Sequence, residues 1–235
     1  RPSTSINFNL WNYMTQFSIV VPTLNEAGNI DLLLTHLSAL SFAPDSFEVI
    51  FVDDGSTDGA PDKVRAWRNQ SNVRLIEQGE KLGLTAAILT GVATAKSDVI
   101  VVMDADLSHP PEQLPAIVTP VLNGNFDVVI GSRYVVGGST ENWPLYRQLL
   151  SRAGSWIARP LCDVNDATSG FFAFRRELAA SISNHARGYK ILLELLMANQ
   201  GKLRVTEVPI CFRDRAQGTL KLSLSHQQPH IHRLI

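Results

Sequence analysis

Two aspartates one residue apart, Asp104 and Asp106, come directly after the apolar run at residues 99–103 in the stretch VVMDADLSHP. Buried carboxylates are costly unless a positive charge neutralises them, so packing does not account for the pair. Carboxylate oxygens are hard ligands that suit Mg²⁺ or Mn²⁺. The pair therefore predicts a divalent-cation site that would bridge the protein to an anionic ligand such as a nucleotide diphosphate.

Polar clusters also follow two other apolar runs. The first run leads into PTLNE, residues 22–26, and the second into DDGSTDG, residues 53–59. In an open α/β sheet, ligands bind beyond the carboxyl ends of the strands, so we expect all three clusters at one sheet edge. Each cluster has a structural alternative, because Asn25 is able to cap a helix and the pair Asp58 and Gly59 to turn the chain. The three together favour a ligand site.

The elements that must position these clusters are predicted from short β-branched apolar runs that alternate with stretches of helical period. Continuous apolar runs of this length are typical of buried parallel strands. The alternation predicts a doubly wound α/β fold with a mainly parallel central sheet and helices on both faces. The predicted strands are residues 17–21, 47–52, 73–76, 99–103 and 128–130, and the predicted helices are residues 30–40, 62–69, 84–95 and 112–122.

After Gly131 the alternation stops, and a glycine-rich loop, YVVGGST, follows. We interpret the first half of the chain as a nucleotide-binding half and the second as the floor and wall of an acceptor site. The domain prediction is one main domain at residues 17–221 between a flexible segment, residues 1–16, and a tail, residues 222–235. The second half has predicted helices at residues 145–159 and 190–199 and predicted strands at residues 203–208 and 210–213.

The composition excludes several classes of protein. A chain of 235 residues with 45% hydrophobic content suits one large domain. Its net charge of -1 argues against nucleic-acid binding, so any phosphate site depends on local arginines. Cys162 and Cys211 lack the spacing of a zinc site or a disulfide framework and fit reduced thiols of a cytosolic protein. Without an apolar run near 18 residues or a signal peptide, we expect a soluble or peripheral protein.

Glycine-rich phosphate-binding motifs are missing after the first predicted strand, where PTLNE stands instead. Neither GxGxxG nor GxxxxGK[ST] occurs there, so the chain lacks the phosphate cradle of a dinucleotide fold or a P-loop. A metal held by Asp104 and Asp106 would instead neutralise a diphosphate at this sheet edge.

Seven motifs occur in an order that resembles family 2 glycosyltransferases of the GT-A fold. They are PTLNE, VDDGSTDG, KLGLTAA, DADLSHP, GSRYVVGG, the pair Trp143 and Arg147 with three residues between them, and DATSGFFAFRR. Within that family the chain is similar to the polyprenyl-phosphate or dolichol-phosphate mannosyltransferases, over about residues 17–221. The resemblance implies an inverting, metal-dependent transfer of mannose from GDP-mannose to a polyprenyl or dolichyl monophosphate.

The resemblance also implies which residues surround the donor. Glu26 would lie near the ribose, and Asp53 and Asp54 would hold the base and ribose side. Asp104 and Asp106 would carry Mg²⁺ or Mn²⁺, with Ser108 as a third polar contact. The implied nucleotide-sugar-binding residues are Pro22, Thr23, Asn25, Glu26, Asp53, Asp54, Gly83, Asp104, Arg215 and Lys221.

On the acceptor side, the resemblance implies that Arg133, Arg147 and Ser169 bind the phosphate. The structural alternative is that the arginines form surface ion pairs, which contribute little. Arg133 follows a core strand within a glycine-rich loop, which favours phosphate binding. Leu220 stands where the family has serine, which weakens the assignment of Lys221. The predicted catalytic residues are Asp104, Asp106, Arg133 and Arg147.

Other activities remain open at this point. Within the same fold, the donor is alternatively a UDP-sugar that supplies glucose or an aminosugar to a lipid phosphate or a saccharide. From other classes, the chain is alternatively a nucleotidyltransferase or a non-catalytic sugar-nucleotide-binding module. PTLNE in place of a glycine-rich basic loop argues against the nucleotidyltransferase, and the intact DAD motif argues against the non-catalytic module.

A lipid-phosphate acceptor has a long hydrocarbon tail, so the resemblance implies that the protein acts at a membrane surface. We expect a cytoplasmic protein, peripheral at the cytosolic face of a membrane. Attachment would come from a membrane-spanning domain or from a separate anchor subunit.

Overall fold

The computed structural model describes residues 15–67, 72–141, 145–182 and 190–213. Within these ranges the chain forms nine β-strands and six α-helices. The strands are β1 (Phe17–Thr23), β2 (Phe47–Asp53), β3 (Val73–Glu77), β4 (Val99–Val102), β5 (Val128–Ser132), β6 (Ser139–Thr140), β7 (Phe172–Arg175), β8 (Val205–Pro209) and β9 (Cys211–Phe212). The helices are α1 (Ala27–Ser38), α2 (Ala60–Ala66), α3 (Leu84–Thr94), α4 (Leu114–Leu122), α5 (Leu145–Cys162) and α6 (Ile191–Ala198).

Seven strands form one sheet in the order β3-β2-β1-β4-β7-β5-β8, and β6 pairs with β9 in a second sheet. The neighbouring pairs of the large sheet are parallel except the two that involve β7. The predicted mainly parallel α/β sheet is therefore confirmed. The five strands predicted in the first half are all present, each within two residues of its predicted bounds.

Strand β7, with the sequence FAFR, and the two-residue β6 are not among the strands predicted from the sequence. Strand β7 runs antiparallel between β4 and β5, and Phe172 pairs with Val102 on one side and with Ile130 on the other. Four residues are too few for periodicity to separate a strand from a buried loop. The direction of β7 also depends on the path of the preceding loop, which no local pattern encodes.

Helices cover both faces of the sheet, as predicted. Along β1 the side chains alternate, so that Ile19 and Val21 join one buried cluster and Val20 joins the other. Leu33 of α1 packs into the first cluster, and Ile88 of α3 packs into the second. Because β1 and β2 are buried between the two helical layers, their sequences are almost continuously apolar.

Helix α3 approaches the sheet closely at Gly91. A Cβ atom at this position would lie 2.4 Å from Cγ1 of Val20, well inside van der Waals contact. Only glycine therefore allows α3 to pack this closely on β1. The contact brings the second half of α3 against β1 and β2.

Several predicted residues lie outside the part of the chain that the structure describes. They include Trp143, Arg215 and Lys221, and most of the predicted terminal segments at residues 1–16 and 222–235. The backbone of Arg147 belongs to α5, but its side chain is outside the description. Among the helices of the described ranges, none has both the length and the apolar character needed to span a membrane.

Candidate active site

The three polar clusters meet at one edge of the large sheet. Thr23 at the end of β1 is in register with Asp53 at the end of β2, and the N–H of Asp54 donates to the carbonyl of Thr23 at 2.9 Å. The N–H of Met103, which follows β4, donates to the carbonyl of Val20 at 3.2 Å. The residues after β1, β2 and β4 therefore leave the sheet side by side, as the strand order predicts.

Asn25 joins the loop after β1 to the loop after β2. Its N–H donates to Oγ of Ser56 at 2.8 Å, and its Oδ1 accepts from the N–H of Thr57 at 2.8 Å. The backbone of Asn25 has a φ of 52°, in the left-handed region that asparagine tolerates better than most residues. Asn25 is therefore a link between two loops, and not the cap of α1 that the structural alternative suggested.

Asp58 is the acidic residue that supports both neighbouring helices. Its Oδ2 accepts from the N–H of Ala27, the first residue of α1, at 2.9 Å, and its Oδ1 accepts from the N–H of Ala60, the first residue of α2, at 3.0 Å. Gly59 has a φ of 86° and precedes α2. The turn expected at Asp58 and Gly59 is present, and it also ties α1 to α2.

Asp53 is 4% exposed and turns its loop back on itself. Its Oδ2 accepts from the N–H groups of Gly55 at 3.1 Å and Ser56 at 2.9 Å. Its Oδ1 is buried and has no hydrogen-bond partner among the described residues. A buried acceptor without a partner is costly, so this oxygen is a candidate contact for a ligand.

Asp54 is 5% exposed and holds the loop that precedes α3. Its Oδ1 accepts from the N–H of Leu82 at 2.7 Å, and its Oδ2 accepts from the N–H of Gly83 at 3.0 Å. Gly83 has a φ of 92°, which places it in the region that favours glycine. Asp54 and Gly83, both predicted at the nucleotide, are thus in direct contact with each other.

The remaining residues of PTLNE lie at the same edge with their own protein partners. Pro22 is half-buried, and Oγ1 of the buried Thr23 donates to the carbonyl of Val21 at 3.1 Å. Oε2 of Glu26 accepts from Nδ2 of Asn29 at 2.7 Å. Their predicted contacts with the nucleotide remain predictions.

Asp104 presents its carboxylate at this edge, with 41% of the side chain exposed. Gly170, which precedes β7 by two residues, leaves the space that the carboxylate occupies. A Cβ atom at Gly170 would lie 3.1 Å from Oδ2 of Asp104 and 3.0 Å from Cε1 of His109. Asp104 is therefore the member of the pair that both solvent and a ligand reach.

Asp106 is 4% exposed and shapes the loop that carries Asp104. Its Oδ1 accepts from both the N–H of Ser108 at 3.0 Å and Oγ of Ser108 at 2.6 Å. The hydroxyl of Ser108, predicted as a metal contact, thus donates to the predicted metal ligand itself. Among the described residues, no group of three or more histidine, cysteine, aspartate or glutamate side chains is arranged to hold a metal ion.

His109 is buried at the end of this loop, against the rings of Phe171 and Phe212 at centroid distances of 5.5 and 5.2 Å. Its Nδ1 accepts from the N–H of Asp104 at 3.4 Å. Burial lowers the pKa of His109 to about 4, and the charge of Arg133 acts in the same direction. The neutral, enclosed imidazole fits the predicted turn role better than that of a general base.

Arg133 is 8% exposed and forms a two-pronged pair with Asp166, which is fully buried. Nε and Nη2 of Arg133 donate to the two carboxylate oxygens at 2.7 Å each, and Nη2 also donates to Oγ1 of Thr168 at 3.1 Å. Burial opposes the charge, but the bonds to Asp166 raise the pKa of Arg133 above its ordinary value. The pair fixes the direction of the guanidinium group.

Asp166 and Glu207 support Arg133, and neither is among the residues predicted for the site from the sequence. Oε2 and Oε1 of Glu207, on β8, accept from the N–H groups of Asn165 at 2.8 Å and Asp166 at 2.9 Å, which fixes the loop that carries Asp166. Asp166 lies within the motif DATSGFFAFRR, which indicates that its segment belongs to the site. Glu207 lies in an ordinary strand, VTEVP, in which no sequence pattern indicates a role for it.

Ser169, predicted at the acceptor phosphate, is 5% exposed and closes the same loop. Its Oγ donates to the carbonyl of Gly131 at 2.6 Å and accepts from the N–H of Phe171 at 3.1 Å. These bonds hold the loop against the end of β5. Its predicted contact with the acceptor remains a prediction.

Replacing Gly170 by alanine tests the space beside Asp104. The added methyl group would press on the carboxylate and on His109, so we expect turnover to fall by about 10- to 100-fold, with donor binding weakened only in the presence of metal. Steady-state kinetics and calorimetry with and without Mn²⁺ measure both quantities. Gly154→Ala on α5 is the matched control, because its Cβ would meet nothing closer than 4.0 Å. Equal activity of the two variants would contradict the prediction.

Comparison with families and curated proteins gives a consistent result. Residues 18–182 match the model of glycosyl transferase family 2. The chain is 39% identical over 227 residues to a dolichol-phosphate mannosyltransferase of Pyrococcus furiosus, covering 93% of this chain and 63% of that protein. It is 37% identical over 220 residues to the protein of the same name in Saccharomyces cerevisiae, covering 88% and 81%. The chain thus spans less than two thirds of the Pyrococcus relative.

Solved structures share the fold at lower sequence identity. Glucosyl-3-phosphoglycerate synthase of Mycobacterium tuberculosis has a TM-score of 0.67 at 24% identity, covering 87% of this chain and 73% of that one. A mannosyltransferase of Pyrobaculum calidifontis in complex with GDP-Man and Mn²⁺ has a TM-score of 0.63 at 21% identity, covering 95% and 62%. At these identities the likeness concerns the fold alone.

Proposed function

Because the chain belongs to glycosyltransferase family 2 and has the GT-A fold, we propose that it transfers mannose from GDP-mannose to a polyprenyl or dolichyl monophosphate, with inversion and with a divalent metal. The observation that carries the proposal is the placement of Asp104. In the strand order, β4 has β1 and β2 on one side, together with the polar loops that follow these strands. On its other side lie β7, which follows the loop that contains Asp166, and β5, which Arg133 follows. A donor and an acceptor on either side would meet at this carboxylate.

Asp104 and Asp106 would hold the metal. Their oxygens form a hard donor set, and the space left by Gly170 keeps the Asp104 carboxylate accessible. When bound there, Mg²⁺ or Mn²⁺ supplies positive charge to the departing diphosphate. Support for the metal comes from the Pyrobaculum neighbour, which was crystallised with Mn²⁺ and GDP-Man.

The nucleotide would bind along the loops after β1 and β2. Bonds from Asn25, Asp54 and Asp58 already hold these loops and the start of α3 together, so a ligand need not order them. Asp53, whose Oδ1 has no hydrogen-bond partner in the described part of the chain, is the strongest candidate for a direct contact with the base. Arg215 and Lys221 are proposed to reach the donor phosphates.

The acceptor would bind on the other side of Asp104. A monophosphate has a second pKa near 6, so it is largely dianionic at neutral pH and attacks without a protein base. Positive side chains must then offset its repulsion from the donor. We assign this role to Arg147 and Arg133, with Asp166 fixing the direction of the Arg133 guanidinium and Ser169 fixing its loop.

The acceptor also bears on where the protein works. A polyprenyl or dolichyl tail stays in a bilayer, so transfer has to occur at a membrane surface, which we place at the cytosolic face. Attachment through a separate anchor subunit or a further domain is part of the proposal.

A UDP-sugar donor is the second candidate, because a UDP-dependent enzyme shares the fold. The Mycobacterium glucosyl-3-phosphoglycerate synthase has been crystallised with Mn²⁺ and UDP-glucose. The higher identity to dolichol-phosphate mannosyltransferases favours GDP-mannose.

Calorimetric titration with GDP and UDP, each with and without Mn²⁺, tests the donor. We expect GDP to bind at least about tenfold more tightly than UDP, a difference of about 1.4 kcal/mol, and to need the metal for full affinity. Turnover of GDP-mannose with a short-chain polyprenyl phosphate is the second measurement. Transfer from UDP-glucose without transfer from GDP-mannose would overturn the assignment, and metal-independent binding of both nucleotides would overturn the site.

A further inference from the structure

Phe212, the last residue of β9, contacts both sides of the candidate site. The centroid of its ring is 5.2 Å from that of His109, which it meets edge to face, and 5.5 Å from the guanidinium carbon of Arg133. His109 belongs to the loop that carries Asp104, and Arg133 follows β5. One aromatic side chain therefore touches the loop proposed to hold the metal and the arginine proposed to face the acceptor.

The backbone around Phe212 is hydrogen-bonded to the same two sides. Its carbonyl accepts from the N–H of Glu141, directly after β6, at 2.8 Å. The N–H of Arg213 donates to the carbonyl of Ser108, in the loop after β4, at 3.1 Å. Strand β9 is thus bonded to the chain that follows β5 and to the chain that follows β4. These bonds fix the place of the Phe212 ring.

On the metal side, Phe212 acts on Asp104 through His109. The imidazole is buried against the rings of Phe171 and Phe212, and its Nδ1 accepts from the N–H of Asp104 at 3.4 Å. The carboxylate of Asp104 is exposed, but the main chain that carries it is held by this imidazole. A shift of the imidazole would therefore shift the proposed metal ligand.

On the acceptor side, Phe212 complements the bonds that Asp166 makes. Nε and Nη2 of Arg133 donate to the Asp166 carboxylate at 2.7 Å each, which fixes the guanidinium within its own plane. The centroids of the Tyr134 and Phe212 rings lie 5.1 and 5.5 Å from the guanidinium carbon. Cation–π contacts of this kind hold a desolvated arginine against motion out of its plane. Tyr134 neighbours Arg133 in the chain, whereas Phe212 comes from a separate strand that also reaches the metal side.

The charges of the two sides act on each other. Burial lowers the pKa of Arg133, Asp166 raises it, and the charge of Asp104 adds to that increase. The carboxylate and the guanidinium are therefore near enough for their relative position to matter.

We propose that Phe212 is a positioning residue that sets the place of the Arg133 guanidinium relative to the Asp104 carboxylate. The inference deepens the proposed function and rests on it for the identity of the reaction. In that reaction the acceptor phosphate, on the arginine side, must meet the sugar of the donor, on the metal side. Transfer depends on the alignment of these two groups, which Phe212 controls through Arg133 and His109.

Phe212→Leu tests the proposal, because it removes the ring and keeps an apolar side chain. We expect kcat of mannose transfer to fall by about tenfold as donor and acceptor lose their alignment. The Kd of GDP with Mn²⁺ and the KM of a short-chain polyprenyl phosphate should each change by less than about twofold, since Asp104 and Arg133 remain in place as charges. Phe212→Tyr keeps the ring and should retain the parental kcat.

Phe42→Leu is the matched control for the loss of a half-buried aromatic ring. Phe42 lies before β2 and contacts the rings of Phe17 and Phe47 at centroid distances of 5.0 and 6.3 Å. The control should lower the melting temperature and leave kcat unchanged. Parental kcat in Phe212→Leu, or a tenfold loss that Phe212→Tyr or Phe42→Leu shares, would overturn the proposal.

NMR of the 235-residue chain without ligands separates this proposal from the proposed function. The Nε–H of Arg133 is bonded to Asp166, so its exchange with solvent reports how firmly the guanidinium is held. Phe212→Leu should speed this exchange by about tenfold, whereas Phe212→Tyr and Phe42→Leu should not. A parent chain that transfers no mannose would refute the proposed function, and the exchange rate would still decide the positioning role. Unchanged exchange in Phe212→Leu would overturn that role whatever the activity.

Discussion

Asp104→Asn is expected to lower the proposed mannose transfer by about a thousandfold, which corresponds to about 4 kcal/mol of transition-state stabilisation. The carboxylate of Asp104 is 41% exposed at the edge where the loops after β1, β2 and β4 meet. An amide of the same shape keeps the packing beside Gly170 but removes the charge on which a divalent ion depends. The measurement is kcat with saturating GDP-mannose, at increasing concentrations of Mg²⁺ and Mn²⁺.

The matched control is Asp45→Asn, an exposed aspartate in the turn before β2. It should leave kcat, metal dependence and the melting temperature unchanged. A thousandfold loss in Asp104→Asn with an unchanged melting temperature would place the effect in the site. Parental turnover of Asp104→Asn in the presence of metal would remove Asp104 from the reaction.

The edge of the sheet at which the polar clusters meet was predictable, because it follows from the direction of the strands. Parallel strands end on the same side, so the residues after 23, 53 and 103 had to converge once the runs were identified as strands. The same argument placed helices on both faces. Continuous apolar runs such as FEVIFV, which starts at Phe47, require cover above and below.

The partners of the side chains were not predictable in the same way. Asp54 and Asp58 belong to one polar cluster in the sequence, yet each accepts hydrogen bonds from the N–H groups of another segment. Such bonds depend on which loops lie side by side, which sequence spacing does not encode. The pairing of Arg133 with Asp166 likewise joins residues 33 positions apart, across β5 and the loop before β7.

These partners give the two sides of the site different physical characters. On the proposed donor side, Asp54 and Asp58 accept hydrogen bonds from backbone N–H groups of neighbouring loops. On the proposed acceptor side, Arg133 and Asp166 form a buried pair of opposite charges. Loss of a buried partner leaves an uncompensated charge, so the acceptor side should be the more sensitive to a single substitution.

Asp166→Asn is accordingly expected to lower the free energy of unfolding by about 3–5 kcal/mol, because the charge of Arg133 remains buried without its partner. Asp166 is 0% exposed and accepts three bonds from Arg133, including one from its N–H at 3.0 Å. Urea unfolding followed by circular dichroism measures the change. Asp127→Asn, at a more exposed pair with Arg204, is the control and should cost less. A loss below about 1 kcal/mol in Asp166→Asn would contradict the prediction.

The double variant Arg133→Met/Asp166→Leu separates packing from function. Replacing both members of a buried pair by apolar side chains is often neutral for stability, so we expect most of the lost unfolding free energy to return. Transfer to the lipid phosphate should not return, since Arg133 is proposed to offset the acceptor charge. A double variant that recovers both stability and turnover would show that the pair only holds the loop, and the acceptor phosphate would then depend on Arg147.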